Sequence, residues 1–162
     1  MSIEYGSVAA FLSVMIALVG LLLETRKSRL AMQSDILLRI DERFCCSETR
    51  TLRQKAARKL LKRETPNYEL TEVLDFFTLI AYMVEHGALS PRLAYAPYEY
   101  WICRYWHSAK EHITETRRFE PESWVTLEKL VQKLERIGME KGRQAYTDEE
   151  LARFLREEEA LS

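Results

Sequence analysis

The side chains of this 162-residue chain that could move a proton, hold a metal or attack an electrophile are few. They are His86, His107 and His112, Cys45, Cys46 and Cys103, and the carboxylates beside them. On a helix His107 faces Glu111 and Glu111 faces Glu115 at a spacing of four, and His112 and Glu115 are three apart. A di-iron bundle needs carboxylates from several helices and two Glu-x-x-His elements, and neither element is present. HExxH, GxSxG, a glycine-rich phosphate loop and a dinucleotide fingerprint are also missing. Cys45 and Cys46 are adjacent and cannot chelate as CxxC does, and an odd cysteine count without a framework reads as free thiols in a reducing cytoplasm. No catalytic, cofactor-binding or metal-ligating residue is expected, which weighs against an enzyme.

Two stretches carry binding chemistry instead. In SPRLAYAPYEYWICRYWHSAKEHI, Tyr95, Tyr98, Trp101, Arg104, Tyr105, Trp106 and His107 crowd together. Tyr and Trp offer apolar area with a polar handle, so this density fits a packed core, a protein interface or the wall of a ligand pocket. In RTLRQKAARKLLKR, the cations Arg50, Arg53, Lys55, Arg58, Lys59, Lys62 and Arg63 surround an apolar line of Leu52, Ala56 and Leu60. Such a helix is either solvated and paired with the acidic C-terminal segment or drawn to an anionic lipid leaflet. Nucleic acid is the weaker partner, since neither a helix-turn-helix companion nor an aromatic RNA platform accompanies the patch. The whole chain has 24 basic and 25 acidic residues and a net charge of -1, which excludes a uniformly basic nucleic-acid binder.

The element that must position all of this is the uncharged run from Tyr5 to Leu23. Nineteen residues rising about 1.5 Å each cover roughly 28 Å, close to the hydrocarbon thickness of a bilayer. The expectation is a single transmembrane helix; a buried helix of a soluble protein is the competing one. Glu4 precedes the run, whereas Arg26, Lys27 and Arg29 follow it, so the positive-inside rule places the N-terminus outside and the C-terminal domain in the cytoplasm. Gly6, Ala10, Ser13, Ala17 and Gly20 recur at threes and fours on one face, the pattern that lets membrane helices approach closely. The lipid bilayer, and another membrane protein or a second copy, are therefore the expected partners. The domains read as an anchor over 1–25, a juxtamembrane helix over 26–49 and a cytoplasmic helical domain over 50–162.

Beyond the run every segment has helical periodicity. Leu30, Leu37 and Phe44 fall at sevens. Asn67 or Thr71 caps LTEVLDFFTLIAYMVEH, Gly87 closes it, and Ser90 with Pro91 restarts a helix at once. Pro97 is expected to end or kink that helix before a longer one reaching about Glu115. Pro121 opens a helix stopped at Gly138, and Thr147 with Glu150 makes a capping box for an acidic last helix. The fold class is all-α: a single N-terminal transmembrane helix followed by a compact multi-helix cytoplasmic bundle.

The stretch LDFFTLIAYMVEHGALSPRLAYAPYEYWICRYW resembles the central motif of an uncharacterised bacterial family, domain of unknown function 4760. Phe76 and Phe77, Gly87, Ser90, and Tyr105 with Trp106 carry the resemblance. It implies one N-terminal membrane helix and a helical cytoplasmic region at the bacterial inner membrane, and it supplies no activity. The function expected is a noncatalytic membrane-anchored subunit or adaptor. The alternatives are a membrane-tethered enzyme or small-ligand sensor with the Tyr/Trp helix as pocket wall, and a lipid or nucleic-acid contact through residues 50–63.

Overall fold

A computed structural model describes the backbone of residues 3–64 and 67–161, and side-chain surroundings within these from residue 13 onward. Among the described residues there are seven helices and no strand: α1 (Ile3–Cys45), α2 (Ser47–Lys62), α3 (Tyr68–Glu85), α4 (Pro91–Ser108), α5 (Lys110–Arg117), α6 (Val125–Glu140) and α7 (Asp148–Glu159). The chain divides into two compact units, Met1–Leu38 and Arg39–Ser162.

The first unit is the N-terminal part of α1. Its apolar residues Val14, Ile16, Leu18, Val19, Leu21 and Leu22 are each about half exposed or more. The expected transmembrane helix is overturned: among the described residues no helix is long and apolar enough to cross a membrane. With the span fall the single-pass inner-membrane topology, the lipid bilayer as partner and the membrane part of the expected fold class. The Gly6 and Ala10 side chains lie outside the described residues. Ser13, Ala17 and Gly20 are on the exposed surface of α1, and a Cβ at Gly20 would meet nothing within 4 Å. Arg26, Lys27 and Arg29 are exposed further along the same helix.

The second unit is built round α3. Leu70, Val73, Leu74, Phe77, Ile80 and Ala81 repeat at threes and fours and are all essentially buried. α2, α4 and α6 pack against this helix, and α7 lies along α2 and α4. Phe44, at the end of α1, sits edge-on to Trp101 at 5.0 Å between ring centres and stacks on Phe76 at 5.7 Å. Each fully buried aromatic or Leu side chain here contributes about 1.5 to 3 kcal/mol of hydrophobic stabilisation.

Local signals set most helix ends. Asn67 accepts from the Leu70 amide at 3.0 Å, Ser90 accepts from that of Leu93 at 3.3 Å, and Thr147 and Glu150 form the reciprocal capping box. Pro66 lies outside the described residues. Gly87 takes φ +74, the left-handed conformation a glycine adopts without strain. Three expectations are corrected. α4 continues through Pro97 without ending there, with Ala94, Tyr98, Ile102 and Tyr105 keeping one buried face across the lost hydrogen bond. The break comes at Ala109, which divides α4 from α5. α6 starts only at Val125, after Trp124 in a left-handed conformation, and passes Gly138 to reach Glu140.

Candidate functional site

One concavity of the second unit is a cleft of about 240 Å³ where the C-terminal end of α2, the start of α3 and α5 meet. α2 supplies Lys59 and, just past its end, Arg63; Asn67 stands at the head of α3; Ser108, Glu111 and His112 come from the α4–α5 junction. The helix ends bring polar groups together here because terminal turns leave backbone donors and acceptors that capping side chains must meet. Asn67 is 2% exposed, and besides capping α3 its amide donates to the Ala56 carbonyl at 3.5 Å. Lys59 donates to Glu69 at 2.6 Å, and that bond, above other causes, holds the Glu69 carboxyl below the usual range.

Two groups in the cleft stand apart. The Ser108 hydroxyl is buried and has no hydrogen-bond partner among the described residues. Leaving such a group unpaired costs about 1 to 3 kcal/mol. The His112 ring lies 3.1 Å, Nε2 to Oγ1, from Thr71 and 5.7 Å from the Trp124 ring centre. Burial pushes its pKa below the usual histidine value, against a smaller opposing pull from Glu115, so the imidazole is neutral at pH 7. Trp124 backs this ring: despite its left-handed φ of 58° it is held by burial and by donation from Nε1 to Asp75 at 2.8 Å. Arg63, the C-cap of α2, also has a left-handed φ, 54°, and its amide and that of Glu64 reach back to the Leu60 and Lys59 carbonyls. Glycine would occupy this position with less strain. Arginine there sets a long cation on the rim of the cleft.

The aromatic helix is distributed differently. Tyr98 and Tyr105 are core residues, with the Tyr98 hydroxyl pushed up to about 12 mainly by burial. Tyr105 and Trp101 donate to the two oxygens of Glu158, at 2.8 and 3.1 Å, and the same carboxylate is 3.4 Å from Arg53 Nε. Arg53 is 6% exposed, with its guanidinium 3.9 Å above the Phe44 ring centre. Tyr95 lies beneath Lys141, Trp106 near Arg117, and Arg104 over Tyr100 at 3.9 Å. His107 pairs with Glu135. On the other side of α4, Glu99 accepts from both Arg143 and Tyr146. None of the Tyr or Trp side chains of α4 lines the cleft; the helix reaches it through its last residue, Ser108.

The basic residues of α2 are largely spoken for. Arg53 is buried against Glu158, Arg58 pairs with Glu159 at 3.1 Å, and Lys62 is 3.9 Å from Glu64. Arg50 and Lys55 are exposed. The acidic C-terminal helix thus docks on the basic one within the chain, and an anionic-lipid face spanning all seven cations is corrected, since Arg53 cannot reach a surface. Ser108 escaped sequence reasoning altogether: a serine near a helix end carries no signal beyond local capping. Glu111, His112 and Glu115 are visible in the sequence as a spaced set, from which no metal or catalytic site is expected. Among the described residues no group of three or more His, Cys, Asp or Glu is placed to hold a metal.

Fold and cleft together define an all-α domain with a polar recess at its helix ends. The chain belongs to the family DUF4760, a domain of unknown function, whose model matches residues 7–134. The matched region contains every cleft residue and stops within α6, before α7. The single N-terminal membrane helix that the resemblance implied has no counterpart among the described residues. No curated protein and no solved structure matches the chain.

Proposed function

We propose that this protein is a noncatalytic helical binding domain that takes a small polar ligand in the cleft between α2, α3 and α5. The observation that carries the reading is the buried Ser108 hydroxyl, unpaired among the described residues, in the lining of a recess where the polar side chains of Asn67 and His112 are held in place by their own hydrogen bonds. Ligand sites place a few polar groups in a concavity and leave their hydrogen bonds for the ligand. Of the function classes considered, this retains ligand sensing, with the end of the aromatic helix as a wall. The membrane-anchored adaptor is not retained.

Ser108→Ala tests the reading by a thermal-shift screen of polar small molecules against the full chain. The unliganded variant is expected to be as stable as the parent or up to about 2 kcal/mol more stable, because an unsatisfied hydroxyl is removed. Compounds that raise the melting temperature of the parent are expected to lose most of that effect in the variant. A variant that is clearly less stable without ligand, or stabilisation by every active compound that survives the substitution, would overturn it.

A further inference from the structure

On the α2 side of the cleft Lys59 is paired with Glu69 and Glu64 lies 3.9 Å from Lys62, which leaves Arg63 as the charge without an ion pair there, while the α5 side carries two carboxylates. Arg63 stands on the rim at the end of α2, and Glu111 and Glu115 line the cleft from α5. Among the described residues none of these three has an ion-pair partner within 4 Å. Charges of opposite sign so close in sequence space to other partners normally find one: Lys59 takes Glu69, and Lys62 approaches Glu64. Here no ion pair forms across the recess among the described residues. The unpaired Ser108 hydroxyl also lines the recess, suited to the middle of a polar molecule.

We infer that the ligand of this cleft is a small zwitterion, whose anionic head meets Arg63 and whose ammonium group meets Glu111 and Glu115. This rests on the ligand-binding reading above and goes beyond it by naming the chemical class. A guanidinium recognises a carboxylate in a fork of two hydrogen bonds, and a pair of carboxylates shares the three donors of an ammonium group. A ligand with only one charge leaves the opposite wall unanswered and gains half of the recognition.

The test is an NMR titration of the full chain with three probes of matched length: 6-aminohexanoate, hexanoate and hexylamine, with hexanamide as the uncharged control. The zwitterion is expected to bind about tenfold more tightly than either singly charged probe. Arg63→Gln should bring its affinity down to that of hexylamine without changing the hexylamine value. The double substitution Glu111→Gln, Glu115→Gln should bring it down to that of hexanoate. All three side chains are exposed, so the variants fold as the parent does, which their melting curves verify. Equal binding of 6-aminohexanoate and either singly charged probe overturns the inference, as does indifference to these substitutions or no binding of the zwitterion at all. Hexanamide bound as well as the zwitterion, with loss of binding in Ser108→Ala, removes the charge requirement and leaves the cleft as a ligand site.

Discussion

Replacing Glu158 by alanine should be among the most damaging single changes to the second unit. The carboxylate is 4% exposed and sits 3.4 Å from an arginine that is 6% exposed, while Tyr105 and Trp101 donate to its two oxygens. Removing one partner of a buried pair leaves the other as an uncompensated charge and costs about 3 to 5 kcal/mol. Tyr105 keeps an alternative acceptor in the Arg53 carbonyl at 3.2 Å, but the Trp101 indole loses its partner, which adds about 1 kcal/mol. Against that, Arg53 retains the Phe44 ring at 3.9 Å, which softens the loss. The expected total is about 4 kcal/mol, a large share of the stability of an ordinary domain. Glu158→Gln keeps an oxygen acceptor and loses only the charge, so it should fall between alanine and the parent. Urea unfolding followed by tryptophan fluorescence measures both, since Trp101 reports on the site directly. A loss below about 1 kcal/mol for alanine, or glutamine no better than alanine, would refute the account of α7 as a helix held by a buried charge.

Other outcomes follow from single groups. His112 has a folded pKa below its ordinary 6.5, so the folded state binds a proton less readily than the unfolded one. Its contribution to stability is full above about pH 6.5 and is lost as pH falls through the lower folded value; His112→Gln should flatten the stability profile in that window, read by thermal melts from pH 7.5 to 5. Glu69, held low by Lys59, contributes in a separate and more acidic window: its share is present above its ordinary 4.5 and disappears below it, and Glu69→Gln should remove that component of the acid transition. The thiols should separate in a labelling experiment. Cys45 is exposed and Cys46, whose pKa is lowered chiefly by its hydrogen bond with Thr49, is partly so, whereas Cys103 is fully buried with its thiol pushed up by burial. Mass spectrometry after iodoacetamide should find the first two modified and Cys103 protected until the protein unfolds.

Local information determined much of this molecule. The period of Leu70, Val73, Leu74, Phe77 and Ile80, the caps at Asn67, Ser90 and Thr147, and the left-handed Gly87 are properties of a few neighbouring residues, and each was legible in the sequence. Long-range balance decided the rest. Pro97 reads locally as a break, yet α4 continues through it with a buried face on either side. Arg53 reads as one more surface cation, and becomes a core residue only because α7 brings Glu158 across 105 positions of sequence. The apolar run at the N-terminus suggested a span by its length, but among the described residues no helix is long and apolar enough to cross a membrane. The cleft was the least legible feature: Arg63, Asn67 and Glu111 read separately as a surface cation, a cap and one of a spaced set, and Ser108 carried no signal at all. Helix propensity and capping act within a turn or two of chain, so they write the elements into the sequence; which helix ends meet, and which polar groups are left facing one recess, is settled only when the helices pack.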